Sequence, residues 1–211
     1  MPNLIILSPD GAYAQVLPAL LKRHQSLGIR NISFDVKSDP FHDASGQIVE
    51  LLRPFLNSHE KALVVRDLEG SGKEAAGAQA LEMELLASLH QNGWNPDNSA
   101  AVVLEPEIES WMRLDSVHME QLIKTYARRR KETLNDWKVI VDAAAESQGG
   151  WIQVGKPARP KEVYRQLLLH YGISPSNALL GTLAAKESLA GCQVASFSRF
   201  REVMRKWFPA L

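Results

Sequence analysis

A single cysteine, Cys192, occurs in the 211 residues of the chain. No intrachain disulfide can form, and a zinc cluster built on several thiolates is excluded. An excess of one charge is also lacking, because 24 Lys and Arg balance 24 Asp and Glu. A protein that coats nucleic acid through bulk positive charge is thereby excluded, while a local basic patch is not. Long hydrophobic runs are missing. The opening MPNLIIL has no basic flank and stops at Ser8-Pro9-Asp10-Gly11, too soon for a signal peptide or a membrane span. These absences predict a soluble, cytoplasmic protein with no membrane partner. The histidines, His24, His42, His59, His90, His118 and His170, never fall into HxxxH or HExxH spacing, so a histidine-based zinc site is not supported. Cys192 has no nucleophile signature around it and reads as a packed thiol.

What is present suits a globular domain. Hydrophobic residues make up 45% and charged residues 23%, enough for one sizeable core and unlike a disordered chain. Asn3–Leu7, Ala62–Val65 and Ala100–Leu104 are continuous apolar runs, which predicts three buried central strands. Asn31–Val36 alternates Ile32, Phe34 and Val36 and reads as a fourth strand. Helical spacing covers Gln15–Leu27, closed by Gly28, then Gln47–Phe55, interrupted by Pro54, and Lys73–Gln91. Strand and helix alternate, so the expected class is α/β, a mainly parallel, Rossmann-like sheet with helices on both faces. After Trp111 no further strand is read. Met119–Arg130, Pro160–Tyr171, Ser176–Leu189 and Phe197–Phe208, the last with Ser196 as cap, read as helices, and Trp137–Ala145 is ambiguous. The expected organisation is an α/β core over residues 1–115 and a helical C-terminal part, 116–211, packed on it.

In open parallel sheets ligands bind at the carboxyl ends of the strands. Three strand ends here carry acids. Asp10 follows the first strand, Asp67 with Glu69 the third, and Glu105 with Glu107 and Glu109 the fourth. Asp67 and Glu69, two residues apart on extended backbone, point to one side, whereas Arg66 points to the other. Hard cations such as Mg²⁺ take oxygen ligands of this kind. The competing readings are solvated loop acids, and for Glu107 and Glu109 first-turn residues favoured by a helix dipole.

Gly70-Ser71-Gly72-Lys73 invites a phosphate-loop reading and fails it on spacing. A P-loop has glycine five positions before Gly-Lys, where this chain has Asp67, and Ser or Thr after the lysine, where it has Glu74. A helix starting behind the glycines could still hold a phosphate through backbone N–H groups. The basic clusters Arg128-Arg129-Arg130-Lys131 and Lys156, Arg159, Lys161 read either as solvated charge or as phosphate contacts. Tyr126, Trp137 and Trp151 nearby read either as core anchors or as stacking platforms for bases.

The ordered set Asp10-Gly11, Asp67-Leu68-Glu69-Gly70 and Pro106-Glu107-Ile108-Glu109-Ser110-Trp111 resembles a Toprim domain. More narrowly it is similar to the small Toprim-like proteins of bacterial phage defence, related to the OLD-family nucleases and the RloB-like proteins. Arg159-Pro160-Lys161 and Ser196-Phe197-Ser198-Arg199-Phe200 also look like segments of these proteins. Asp10 stands where the family has glutamate, Glu69 where it has aspartate, and Ala14 where an acid is usual. The resemblance implies metal-dependent phosphodiester chemistry. Mg²⁺ or Mn²⁺ would be held by Asp10, Asp67 and Glu69, with Glu107 or Glu109 holding a second ion or its waters. Lys161 would neutralise the phosphate. Implied partners are nucleic acid and other defence-system proteins. The alternative is a non-catalytic Toprim-like subunit that recognises such a partner.

Overall fold

In the computed structural model, which describes residues 2–39, 46–128 and 136–210, the central element is a four-stranded, all-parallel sheet. Its strands are β1 (Leu4–Ser8), β2 (Phe34–Ser38), β3 (Lys61–Asp67) and β4 (Ser99–Leu104), in the order β2-β1-β3-β4. Strand alternation sorts the apolar runs into two cores. Ile5, Leu7, Ala62, Val64, Ala101 and Val103 face one layer, with Val49, Leu52, Leu81, Leu85 and Trp94. Leu4, Ile6, Leu63, Val65, Val102 and Leu104 face the other. Continuous apolarity is thus the result of burial on both faces.

β1 and β3 are central as expected, but β4 is an edge strand. It is nevertheless buried along its whole length. Val103 N–H, for example, is satisfied by the Glu82 carboxylate at 3.0 Å rather than by a fifth strand. A continuous apolar run reports covered faces and says nothing about a paired edge. β2 begins later than the alternation suggested. Its entry is set by Asn3, whose backbone N–H donates to Ser33 O at 2.9 Å while its side-chain oxygen accepts from Ser33 N at 3.1 Å.

The helices differ from the expectation at their ends, for identifiable reasons. α1 (Gly11–Leu21) starts four residues early because Asp10 caps it, accepting from Ala12 N at 2.7 Å. A short α2 (His24–Leu27) follows and ends at Gly28, whose φ of 72° suits glycine. Residues Gly46–Phe55 form a 3₁₀ helix instead of an α-helix. Pro54 removes one donor from an α-helical ladder, and the buried Val49 and Leu52 repeat with the 3₁₀ period of three. α3 (Ala78–Gln91) starts well after Lys73, since Gly77 sits at φ 83° and breaks any helix through it.

Beyond Trp111 lie α4 (Val117–Tyr126), α5 (Trp137–Glu146), α6 (Pro160–His170), α7 (Asn177–Ala184) and α8 (Ala195–Trp207). A small antiparallel hairpin, β5 (Trp151–Gln153) and β6 (Lys156–Pro157), interrupts them, contrary to the reading of no further strands. Its strands are too short for alternation to register. Buried residues of α1, α4–α8 and the sheet form one continuous cluster. Ser196 does not cap α8. Val194 occupies that position, and Ser196 is buried as the acceptor of the Trp111 indole. Among the described residues no helix is long and apolar enough to cross a membrane.

Candidate functional site

The sheet order makes β1 and β3 neighbours, so their carboxyl ends deliver Asp10 and Asp67 side by side. Pro9, Asp10, Arg66, Asp67, Glu69, Gly70 and Ser71 line one pocket of about 180 Å³. Gly70 and Gly72, at φ 78° and 70°, turn the chain there, and Ser71 Oγ pins the turn to Leu68 O at 2.5 Å. Arg66 also borders this pocket, although alternation sends it away from Asp67. Its guanidinium pairs with buried Asp39 at 3.1 Å.

The fourth strand end contributes from the other side. A cis Glu105–Pro106 peptide leads into the 3₁₀ turn Ile108–Trp111, with Glu107 and Glu109 both buried. Lys161, in the first turn of α6, reaches Glu107 at 3.1 Å. Burial pushes the Asp67 carboxyl up to about 7, helped by the Asp10 and Glu107 charges and opposed by a hydrogen bond from Tyr13 and by Lys161. Burial likewise raises Glu109 to about 7, with Glu107 and Asp67 adding to it. Glu107 is raised by burial, against the pull of Lys161. Lys161 is shifted upward despite its partial burial, because Glu107, Glu109 and Asp67 all favour its charge. Asp67, Glu107, Glu109 and Lys161 therefore form one electrostatic unit. Asp10 and Glu69 border it through the pocket.

Two phenols complete the site and were not read from the sequence. Tyr13 of α1 is 1% exposed, and its hydroxyl donates to Asp67 Oδ1. Burial and the Asp67 charge drive its pKa well upward. Tyr164 of α6 is buried, its hydroxyl without a hydrogen-bond partner among the described residues, and burial and Glu109 raise its pKa. Tyr13 lies ahead of the helix read from the sequence, Gln15–Leu27, and Tyr164 lies on the buried stripe of α6. Only the adjacency of β1 and β3 directs Tyr13 toward Asp67.

The strand-end oxygens are all carboxylate, the type Mg²⁺ and Mn²⁺ prefer, and the buried carboxylates outnumber the one lysine among them. In donor type alone the set suits a divalent cation. As the side chains stand, however, no three His, Cys, Asp or Glu residues among those described form a group able to hold one. Asp10 is engaged in capping α1 and Asp67 by Tyr13, so binding requires side-chain rearrangement.

The other sequence candidates disperse. Lys156 is 5% exposed and donates to Met112 O at 2.8 Å, which separates it from the exposed Arg159 and from Lys161. Arg129, Arg130 and Lys131 lie outside the described residues. Trp137 is a core residue against Tyr171, and the Trp151 indole is tied to Asp142 at 3.1 Å. Cys192 is buried against Trp111 O. α3 begins at Ala78 rather than directly behind Gly70-Ser71-Gly72, and Lys73 pairs with Glu84 at 2.9 Å, so these glycines do not present a helix N-terminus to a phosphate. Comparison with protein-family models, with curated proteins and with solved structures finds no match to this chain.

Proposed function

We propose that this chain is a Toprim-like phosphoryl-transfer protein, a metal-dependent nuclease acting in bacterial phage defence. The observation that carries the reading is Asp67. A half-buried carboxylate at the end of a parallel strand stands among Asp10, Glu107 and Glu109 with Lys161 at the rim. In this reading Asp10, Asp67 and Glu69 hold Mg²⁺ or Mn²⁺, and Glu107 or Glu109 supports a second ion or its waters. The bound ion would supply an activated water and charge stabilisation for phosphodiester hydrolysis. Lys161 would orient and neutralise the phosphate, exchanging Glu107 for substrate oxygen.

A second reading has its own support. The Asp10 and Asp67 side chains already have internal hydrogen-bond donors. A Toprim-like subunit that binds nucleic acid or a defence-system protein without catalysis needs nothing more. Thermal melting in millimolar Mn²⁺ separates the two. Under the first reading the cation raises the melting temperature, by about 2.7 kcal/mol of stability at a hundredfold excess over Kd, and Asp67→Asn abolishes the rise. No shift, or an equal shift in Asp67→Asn, makes the non-catalytic subunit the account to keep.

A further inference from the structure

We propose that the cleft between α3 and α8 binds a small organic anion with a flat aromatic body, the class to which nucleoside monophosphates belong. The proposal goes beyond the metal-dependent reading and does not depend on it. The cleft follows from the sheet. α3 packs on one face through Leu81, Leu85 and Leu89, and α8 on the other through Phe197, Phe200 and Met204. β4 is the edge strand between them, and no further strand among the described residues pairs with its outer side. What remains is a cavity of about 420 Å³ against Ser99 and Ala100, at the start of β4. Small-molecule sites span roughly 300–1,000 Å³. Asp10 and Asp67 lie at the opposite, carboxyl ends of the strands.

The lining joins an apolar floor to cations in excess. Leu86, Val203 and Trp207 supply the floor, and Arg199 and Lys206 outnumber Glu202. Among the described residues Lys206 has no ion pair, and that of Arg199 with Glu82 is long, at 3.9 Å. Trp207 is half-buried and held in place, because its indole N–H donates to Asp97 O at 3.1 Å. A ring already fixed loses little freedom when another flat group stacks on it. The simpler explanation is that basic residues near helix C-termini complement the dipole. It accounts for Lys206 and for His90, each in a last turn. It does not account for Arg199, which stands early in α8, where the dipole gives a cation no such support.

The test is calorimetric titration of adenosine monophosphate into the full chain in chelator. Wild type should bind it, and Lys206→Gln and Arg199→Gln should each weaken binding at least about tenfold, the scale of a lost hydrogen bond between charged groups. Trp207→Leu should weaken it at least about fivefold, the low end of base–aromatic stacking. Lys206 is exposed, so Lys206→Gln should melt as wild type does and keeps the test decisive if Trp207→Leu does not fold. Asp67→Asn should bind like wild type. No binding at millimolar adenosine monophosphate, inorganic phosphate binding as tightly, or unchanged affinity in Lys206→Gln overturns the proposal. Loss of binding in Asp67→Asn alone would place the nucleotide at the strand ends and overturns it too.

Discussion

The Trp111 indole N–H donates to Ser196 Oγ at 3.0 Å, and both side chains are buried. This bond ties the segment carrying Glu107 and Glu109 to α8. Phe197 and Phe200 pack on the same indole, with ring centroids 5.3 and 5.2 Å away. Ser196→Ala removes the acceptor and strands a buried donor, at a cost of about 1–3 kcal/mol. Urea unfolding should show that loss. A change below about 0.5 kcal/mol, the usual range for an inconsequential surface substitution, would mean that water replaces the hydroxyl.

Deleting α8 should be far more severe. Phe197, Phe200, Met204 and Phe208 are each no more than 1% exposed. Each buried side chain of this size contributes about 1.5–3 kcal/mol, and together they rival the whole stability of a typical domain. A chain ending before Ala195 should aggregate on expression. If it stays monomeric by light scattering with unchanged melting, α8 is a detachable appendage.

The parallel sheet was legible because β1, β3 and β4 are apolar on both faces, while β2 showed itself only by alternation. Leu4–Leu7 and Ala62–Val65 could be nothing else at that length. The edge position of β4 was not, since Glu82 and α8 conceal it with side chains from distant sequence. Asp10, Asp67, Glu69, Glu107 and Glu109 were legible as candidates from their places at strand ends, whereas Lys161 came only from a basic cluster with Lys156 and Arg159 and from the resemblance. Their division of labour was not legible. Asp10 also caps α1, a signal present in Asp-Gly-Ala-Tyr but overshadowed by the strand end before it. Tyr13 was illegible because the first helix was read from Gln15 and starts at Gly11, and Tyr164 because an apolar stripe hides which way a phenol points.

Tyr164 offers a cleaner test of the site's interior. Its hydroxyl is buried without a hydrogen-bond partner among the described residues, beside the Glu109 charge. An orphaned polar group costs about 1–3 kcal/mol. Tyr164→Phe removes the group and keeps the ring, so the metal-free protein should gain about 1 kcal/mol in chemical denaturation. A loss of similar size would show that the hydroxyl serves a partner, such as an ordered water bridging to Glu109.

The acids also fix how stability responds to pH. Desolvation raises half-buried Asp67 and buried Glu109 to about 7 in the native state, whereas unfolded Asp and Glu titrate at roughly 3.9 and 4.3. Between those limits the native protein binds more protons than the unfolded chain, so stability must fall as pH rises. The contribution is fully present below about pH 4, declines through the window and is gone above the native value near 7. Two such groups set a ceiling of about 2.7 kcal/mol per pH unit, and one a ceiling of about 1.4. Metal-free protein in chelator should therefore unfold at lower denaturant at pH 8 than at pH 5.5. Asp67→Asn, which stays neutral throughout, should roughly halve the slope. Saturating Mn²⁺ should flatten it further, because the cation favours the ionised carboxylates. Stability that rises steadily from pH 5.5 to 8 in chelator would mean that the two carboxylates are ionised and compensated in the native protein, and that the site holds no buried excess of negative charge for a cation to relieve.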